Sequence, residues 1–391
     1  MKLAVLTCGT LPIPAVQGGA VENLIDFYLE YNEREKLHDI TVYSPWDARA
    51  AVHSDINSDI NHYVFIDVTS VKARISRKIY SYLHHNEYYN YFIEYYFEKV
   101  YSDLKNKNYD YIIIENGAGL AYKLSQRGFN NLILHLHNDV LNSQTQYHDI
   151  IGNSFKKVLT VSDYIKTKVS TTCPVNRIMT VYNGINIQNF TKPNTTLNRK
   201  DFGFSPDDFI IAFSGRMTKD KGIAELTNAM LQLHDYPQIK LMALGSNYFE
   251  NASKEDEFLQ ELKNIAEQIT NRIVFTGFVP YSMVPAYLHT ADIAVLPSMW
   301  DEPFGLTVVE AMASGLPLIT TRSGGIPEIC EKVATIVDRK DIVNNLTNAI
   351  LDLYNHPEKR RKMSIASQER AKKFSKENFA RKFFDALKDL H

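Results

Sequence analysis

Residues 297–315 read Pro-Ser-Met-Trp-Asp-Glu-Pro-Phe-Gly-Leu-Thr-Val-Val-Glu-Ala-Met-Ala-Ser-Gly. The first half cannot be a continuous helix, because a proline and a glycine interrupt it. From Leu306 onward the apolar residues recur at helical spacing, and Gly315 predicts the end of that helix. Glu302 therefore precedes a helix N-terminus, and Glu310 lies about one turn inside the helix. The free N–H groups there favour an anion, and the two carboxylates suit hydroxyl groups, so the stretch fits a ligand such as a sugar nucleotide.

The rest of the chain repeats one pattern twice. Residues 3–31 read as a strand, a glycine-rich loop and a helix, and the same order recurs from residue 209, after a polar segment at 188–208 that we interpret as a linker. Further short apolar runs alternate with helical segments in both halves. This predicts an α/β protein with two Rossmann-like, doubly wound domains, 1–187 and 188–375, and a ligand cleft between them. Neither opening loop reads GxGxxG, which argues against a nicotinamide dehydrogenase.

Composition limits the remaining classes of function. The 391 residues are 45% hydrophobic and 23% charged, with a net charge of −2, so no overall field attracts nucleic acid. Three scattered cysteines form no metal-binding or disulfide pattern and indicate a reducing compartment. The N-terminus lacks the pattern of a signal peptide, and no apolar run is long enough to cross a bilayer. We expect a cytoplasmic protein that binds no nucleic acid.

Residues 71–101 combine basic residues with many tyrosines at helical spacing. One interpretation is a peripheral contact with anionic lipid head groups at the inner face of a membrane. The plainer interpretation is two packed helices with amphipathic tyrosines at their margins. The sequence leaves both open.

Two polar groups stand out near strand ends. His137 follows the predicted strand from Leu132, where open α/β sheets bind ligands, whereas His135, one pleat inward, is expected to be a satisfied core residue. The loop from Gly215 to Gly222 carries Arg216 and Lys221, two cations that can stabilise a leaving diphosphate. The chain has no Asp-any-Asp pair of the kind that metal-dependent transferases often use. We therefore predict no metal and no cofactor.

These motifs resemble a known family. The stretch 297–315, the loop 215–222 and the segment 181–186 are similar to the corresponding segments of retaining GT-B glycosyltransferases of family four, which include glycogen-synthase-like and bacterial surface-glycan enzymes. Asn186 departs from the family, which often has aspartate there. The resemblance implies that the terminal helix, residues 376–391, packs back on the first domain.

The resemblance also implies roles for individual residues. Glu310 would bind ribose, Glu302 and His137 the donor sugar, and Arg216 and Lys221 the diphosphate. The catalytic set is thus Glu302, His137, Arg216 and Lys221, and the donor-binding set is Gly18, Gly19, Gly215, Phe278, Val279, Pro303, Phe304, Gly305, Leu306 and Glu310.

The expected function is a retaining, metal-independent glycosyltransferase. It would move a sugar from a nucleotide-sugar donor, with UDP favoured over GDP, to a glycan or lipid-linked glycan acceptor. Front-face substitution is implied, because no carboxylate matches a nucleophile. The alternatives are a sugar-nucleotide epimerase or phosphorylase of the same fold, and a catalytically silent GT-B partner subunit.

Overall fold

The computed structural model describes residues 1–54, 58–83, 91–246, 257–269 and 272–390. Contacts between residues divide the chain into two compact units. Unit 1 comprises Met1–Gly184 and the segment that begins at Lys376, and unit 2 comprises Ile185–Ser375.

Unit 1 is built on a parallel sheet of seven described strands. These are β1 (Lys2–Leu6), β2 (Asp39–Pro45), β3 (Asn61–Ile66), β4 (Tyr111–Glu115), β5 (Leu132–Leu136), β6 (Phe155–Thr160) and β7 (Ile178–Thr180). Their order across the sheet is β3-β2-β1-β4-β5-β6-β7. Long apolar runs form the central strands because helices cover both faces of a parallel sheet.

The helices of unit 1 begin with α1, which follows the glycine-rich loop. The first seven are α1 (Ala20–Glu35), α2 (Ala48–Ser54), α3 (Val71–Leu83), α4 (Tyr91–Leu104), α5 (Ala118–Gln126), α6 (His148–Asn153) and α7 (Asp163–Val169). Ser162 caps α7, since its hydroxyl accepts a hydrogen bond from the Ile165 N–H at 3.1 Å.

Unit 2 repeats the architecture with six described strands, all parallel. They are β8 (Phe209–Ser214), β9 (Ile239–Leu244), β10 (Ile273–Phe275), β11 (Ile293–Leu296), β12 (Leu318–Thr321) and β13 (Thr335–Val337), in the order β10-β9-β8-β11-β12-β13. Its helices are α8 (Ile187–Thr191), α9 (Ile223–Gln232), α10 (Glu257–Ala266), α11 (Val284–Leu288), α12 (Leu306–Ala313), α13 (Ile326–Cys330), α14 (Ile342–Asn355) and α15 (Pro357–Ala371).

The last helix, α16 (Lys376–Asp385), belongs to unit 1. The apolar side chains of this helix are buried against α1, where the Phe383 ring stacks on Tyr28 with ring centroids 4.3 Å apart. The helix is shorter than predicted. The chain continues from Lys388 to Leu390 as a single 3₁₀ turn.

In both sheets the strand order reverses at the centre, between β1 and β4 in unit 1 and between β8 and β11 in unit 2. Loops at the carboxyl ends of strands on either side of such a reversal diverge and leave a crevice for ligands. In unit 2 these loops are 215–222 and 297–305, the two segments that carry most of the predicted site.

The polar segment 188–208 is more structured than a linker. It contains most of α8, and Phe190 of that helix is buried in unit 2. The polar residues of this segment predicted a linker, whereas its buried aromatic residue Phe190 packs in unit 2. Within the described ranges, no helix is long and apolar enough to cross a membrane.

Candidate active site

The loops that follow β8 and β11 are held against each other. The Met299 N–H donates to the Asp220 carbonyl at 2.8 Å. Gly222, which ends the first loop, lies so close to the second that a Cβ atom there would be 1.9 Å from the Pro297 carbonyl oxygen. Its φ of 73° also belongs to the left-handed region, so only glycine fits this position.

The close packing of these two loops brings Lys221 and Glu302 together. The Lys221 Nζ lies 2.5 Å from Glu302 Oε1, and only 21% and 13% of the two side chains are exposed. The Ser298 hydroxyl donates to the same oxygen at 3.0 Å. The ammonium group also lies 5.3 Å from the centre of the Trp300 ring, a distance that allows a cation–π interaction.

A small cavity of about 20 Å³ lies beside this pair, with room for roughly one water molecule. Its lining includes Lys221, Ser298, Glu302 and Gly305, so four residues of the two loops meet at one place. Gly305 has a φ of 111° and precedes α12, whose first N–H groups lack partners within the helix. A cation, a carboxylate and a helix N-terminus therefore converge.

The loop 297–305 is fixed by residues that the sequence analysis did not single out. Arg339 donates to the Met299 carbonyl at 2.9 Å and to the Asp301 carboxylate at 2.7 Å. The hydroxyls of Thr321 and Ser323 both donate to the Ser298 carbonyl. The only local signal was their position at or just after the carboxyl ends of β12 and β13.

Glu310 is buried inside α12 and accepts a hydrogen bond from the Tyr281 hydroxyl at 3.0 Å. Burial raises the pKa of Glu310 to about 7, and the bond from Tyr281 only partly offsets this effect. Tyr281 was also missed by the sequence analysis. It packs edge-on against Phe190 of α8 at 5.9 Å, so the short helix in the supposed linker supports the partner of Glu310.

The other predicted residues of unit 2 are more dispersed. Arg216 is exposed, and its guanidinium group lies 3.7 Å from the Asp220 carboxylate. This contact is longer than the one between Lys221 and Glu302. Phe304 is buried against Phe374, while Phe278 is 43% exposed. Val279, Pro303 and Leu306 are half-buried, and Gly215 begins the loop after β8 with a positive φ.

In unit 1, Gly18 and Gly19 lead directly into α1. Both have positive φ angles, and a Cβ on Gly19 would lie 2.1 Å from the carboxylate of Glu22. Burial raises the pKa of Glu22. The predicted glycine loop thus packs on a buried carboxylate.

His137 lies just beyond β5, with its ring beside Glu115 at the end of β4. The His137 Nε2 is 2.7 Å from Glu115 Oε2, and the Tyr28 hydroxyl donates to Oε1 at 3.0 Å. Glu115 is completely buried. Burial alone would raise the pKa of Glu115, but the charge of His135 and the hydrogen bond from His137 outweigh it and hold the pKa well below its usual range.

His135 differs from the satisfied core residue that we expected. It is fully buried, and its Nδ1 lies 2.9 Å from Glu115 Oε2, but neither ring nitrogen makes a well-aligned hydrogen bond within the described residues. The two rings lie 4.2 Å apart.

Glu115, His135 and His137 are also the residues of the described chain whose ligand atoms cluster as a metal site would require, all within 4.8 Å. However, the nitrogens lie 2.7 and 2.9 Å from the carboxylate oxygen. Ligands of one tetrahedral zinc ion, each about 2.1 Å from the metal, are about 3.4 Å apart. The spacing is that of hydrogen bonds, so these residues do not fit a metal as they stand.

The raised pKa of Glu310 predicts a pH dependence of ligand binding. A carboxylate accepts hydrogen bonds from ribose hydroxyls better when it is ionised, and Glu310 ionises as the pH rises through about 7. Affinity for a nucleotide sugar, whose diphosphate does not titrate in this range, is therefore expected to rise about tenfold between pH 6 and pH 8. Isothermal titration calorimetry measures it. Glu310→Gln should bind more weakly at pH 8 and show a flat profile, and an equally steep profile in that variant would contradict the assignment.

Comparison with known proteins agrees with this architecture. Residues 194–370 match the family model for glycosyl transferases group 1. The chain is 27% identical to spore coat protein SA of Bacillus subtilis, over 95% of this chain and 94% of that protein. It is 24% identical to a lipopolysaccharide 1,2-N-acetylglucosaminetransferase of Salmonella typhimurium, over 71% and 72% of the two chains.

Solved structures extend the likeness to the whole chain. The Anabaena protein Alr3699/HepE, solved in complex with UDP-glucose, has a TM-score of 0.74 and 21% identity and covers both chains completely. A glycosyltransferase from Rickettsia africae has a TM-score of 0.76 and 18% identity, with 100% and 98% coverage. The fold is thus GT-B, as the sequence predicted. The match to the group 1 glycosyltransferase model is confined to residues 194–370, which lie within unit 2.

Proposed function

We propose that this protein is a group 1 glycosyltransferase, which moves a sugar from a nucleotide-sugar donor to a glycan or lipid-linked glycan, with retention of configuration and without a metal ion. A UDP-sugar is favoured over a GDP-sugar, since a protein of the same fold has been solved with UDP-glucose.

The observation that carries the proposal is the pair of Lys221 and Glu302 beside the N-terminus of α12. A diphosphate needs positive charge as the bond to the sugar breaks, and Lys221 with the helix N–H groups supplies it. Glu302 holds the ammonium in place until the donor arrives. The carboxylate can then accept hydrogen bonds from sugar hydroxyls and offset positive charge at the reacting carbon.

Retention follows from front-face substitution in this proposal. The leaving phosphate oxygen takes the proton of the acceptor hydroxyl, and that hydroxyl oxygen attacks the carbon from the side that the phosphate leaves. No protein carboxylate is needed as a nucleophile. Arg216, which is exposed, adds a second cation for the diphosphate.

A thermal-shift panel tests the donor class and the metal independence together. UDP-glucose, UDP-galactose, UDP-N-acetylglucosamine and GDP-mannose are each added with and without EDTA. A donor present at a hundred times its Kd stabilises the folded state by about 2.7 kcal/mol. We expect one of the sugars to raise Tm equally in both conditions. Loss of the shift in EDTA would refute metal independence, and no shift with any of them would refute the donor class.

A peripheral membrane contact through residues 71–101 is part of the proposal. The helices α3 and α4 do pack together, as the plainer interpretation requires. Packing alone, however, would turn apolar side chains inward. Instead Val71, Ile75 and Ile79, which lie one turn apart on α3, are each more than half exposed, while Ala73 faces the interior. Residues 84–90 of this segment lie outside the described residues.

The charges of α3 suit an anionic lipid surface. The helix contains four basic residues and no acidic one. Lys72 and Lys78 lie on either side of the exposed apolar stripe, an arrangement typical of helices that lie in the head-group region. Each such cation contributes about 1 kcal/mol near an anionic membrane. The acceptor that this surface favours is a lipid-linked glycan.

Vesicle sedimentation tests the contact. The wild-type chain is expected to bind vesicles that contain phosphatidylglycerol and to release them at high salt. Ile75→Ser with Ile79→Ser should weaken binding about tenfold, because each change removes an apolar group that enters the membrane. Ile365→Ser is the matched control, since Ile365 is 63% exposed on α15 in unit 2. Equal loss in the control, or a dimer that dissociates in the double variant, would refute the membrane assignment.

A further inference from the structure

The carboxylate of Glu115 is the feature of unit 1 that the proposed function leaves unexplained. It is an ionised group with no exposed surface, at the carboxyl end of β4. Burying a charge is unfavourable unless hydrogen bonds compensate for it. Here Tyr28 of α1 bonds one oxygen and His137 bonds the other.

The charge on Glu115 determines which nitrogen of His137 carries a proton. An ionised carboxylate can only accept hydrogen bonds, so the short 2.7 Å contact requires the proton to be on Nε2. Burial and the neighbouring His135 lower the pKa of His137, which favours the neutral ring. A neutral ring with its proton on Nε2 has a bare Nδ1, which is an acceptor.

This Nδ1 is buried without a hydrogen-bond partner among the residues that the structure describes. Buried polar atoms in native proteins nearly always have a partner, and those without one often belong to a functional site. The ring is not sealed, since 6% of the His137 side chain remains exposed. A neutral nitrogen without a proton accepts hydrogen bonds, so a hydroxyl group, which can donate one, is a suitable ligand for it.

We propose that Glu115 is a positioning residue, which fixes His137 in the tautomer with the proton on Nε2 so that Nδ1 accepts a hydrogen bond from a hydroxyl of the donor sugar. This inference rests on the proposed function, because it specifies what His137 offers to the nucleotide sugar. The backbone of His137 is held as well, since the Asn116 side chain accepts a hydrogen bond from the His137 N–H at 3.2 Å.

Nitrogen NMR of histidine-labelled protein tests the tautomer without any ligand. The wild-type spectrum should show His137 with a protonated Nε2 and a bare Nδ1, and the opposite tautomer would overturn the proposal. In Glu115→Gln, the Tyr28 hydroxyl favours the amide oxygen on its own side and turns the amide NH₂ toward Nε2. Nε2 must then accept, so the proton should move to Nδ1. Tyr28→Phe, which removes only the bond to Oε1, should leave the tautomer unchanged.

Calorimetry then tests the effect on the donor. Glu115→Gln should weaken UDP-glucose binding about tenfold, the effect of one lost hydrogen bond, and leave UDP binding unchanged because UDP has no sugar. In a His137→Ala background the same change should have no further effect. Equal weakening of UDP and UDP-glucose, or a full effect in that background, would show a merely structural role.

Different results would refute the proposed function and the role of Glu115. If the wild type binds none of UDP-glucose, UDP-galactose, UDP-N-acetylglucosamine and GDP-mannose, the proposed function is refuted together with the role of Nδ1 as an acceptor for the donor. If a nucleotide sugar binds but the ring has its proton on Nδ1, the proposed function stands and the role of Glu115 is refuted.

Discussion

Replacing Lys221 with alanine is expected to lower kcat about a thousandfold. Of the two predicted cations, the ammonium group is the more closely paired, since it lies 2.5 Å from Glu302 and is mostly buried, whereas Arg216 is exposed. In the proposed function its charge acts where negative charge develops on the leaving diphosphate, and loss of one such group typically costs a factor of 10²–10³, or about 3–4 kcal/mol. Initial rates with the donor found by the thermal-shift panel measure the change.

Two effects make this the largest loss that we expect. The variant removes stabilisation of the leaving group, and it also leaves the Glu302 carboxylate, which is 13% exposed, next to the diphosphate without a compensating charge. Like charges at this distance repel. Donor affinity should therefore fall as well, and kcat/KM should fall by more than kcat.

Lys219→Ala is the matched control. Lys219 lies on the same loop two residues away, but its Nζ is 5.6 Å from the Phe258 ring and its side chain is exposed. We expect its loss to change kcat less than threefold, within the scatter of surface substitutions. Equal losses in the two variants would mean that the loop contributes only general positive charge and would contradict the role of Lys221.

The fold was predictable because its signals are local. Each strand of the second half is a short apolar run between turn residues, and the runs at 239–244 and 293–296 form β9 and β11. The alternation of strands and helices then restricts the topology to a parallel, doubly wound sheet. The helix of Phe190 was missed because a single buried aromatic among polar residues has no periodicity to recognise.

The site was predictable only where one segment carries it. Glu302, Gly305 and Glu310 fall in one stretch, and their relation to a helix start can be read from the order of residues. Glu115 could not be found in this way. A glutamate at the end of a strand is typical of an exposed edge, and its burial depends on Tyr28 and His137, which are 87 and 22 residues away. Tyr281 could not be found in this way either, because it donates a hydrogen bond to Glu310 from 29 residues away.

Glu302→Gln is expected to lower kcat about a hundredfold and to leave donor affinity nearly unchanged. Glutamine keeps the size of the side chain and can still bond the Ser298 hydroxyl, so the loop should stay in place. What it loses is the negative charge that stabilises positive charge at the reacting carbon. An interaction that exists only in the transition state affects kcat and not binding.

The ion pair between Lys221 and Glu302 gives a second reason to expect that donor affinity is not lost. In the wild type the donor must draw Lys221 away from Glu302, which opposes binding, whereas the variant frees the ammonium for the diphosphate beforehand. Donor Kd should therefore stay the same or fall while kcat falls. Glu310→Gln, the same chemical change eight residues along the chain, should do the reverse and raise Kd with a smaller effect on kcat. If Glu302→Gln turns over at the wild-type rate, Glu302 only holds Lys221, and the charge at the reacting carbon must be balanced by the leaving phosphate itself.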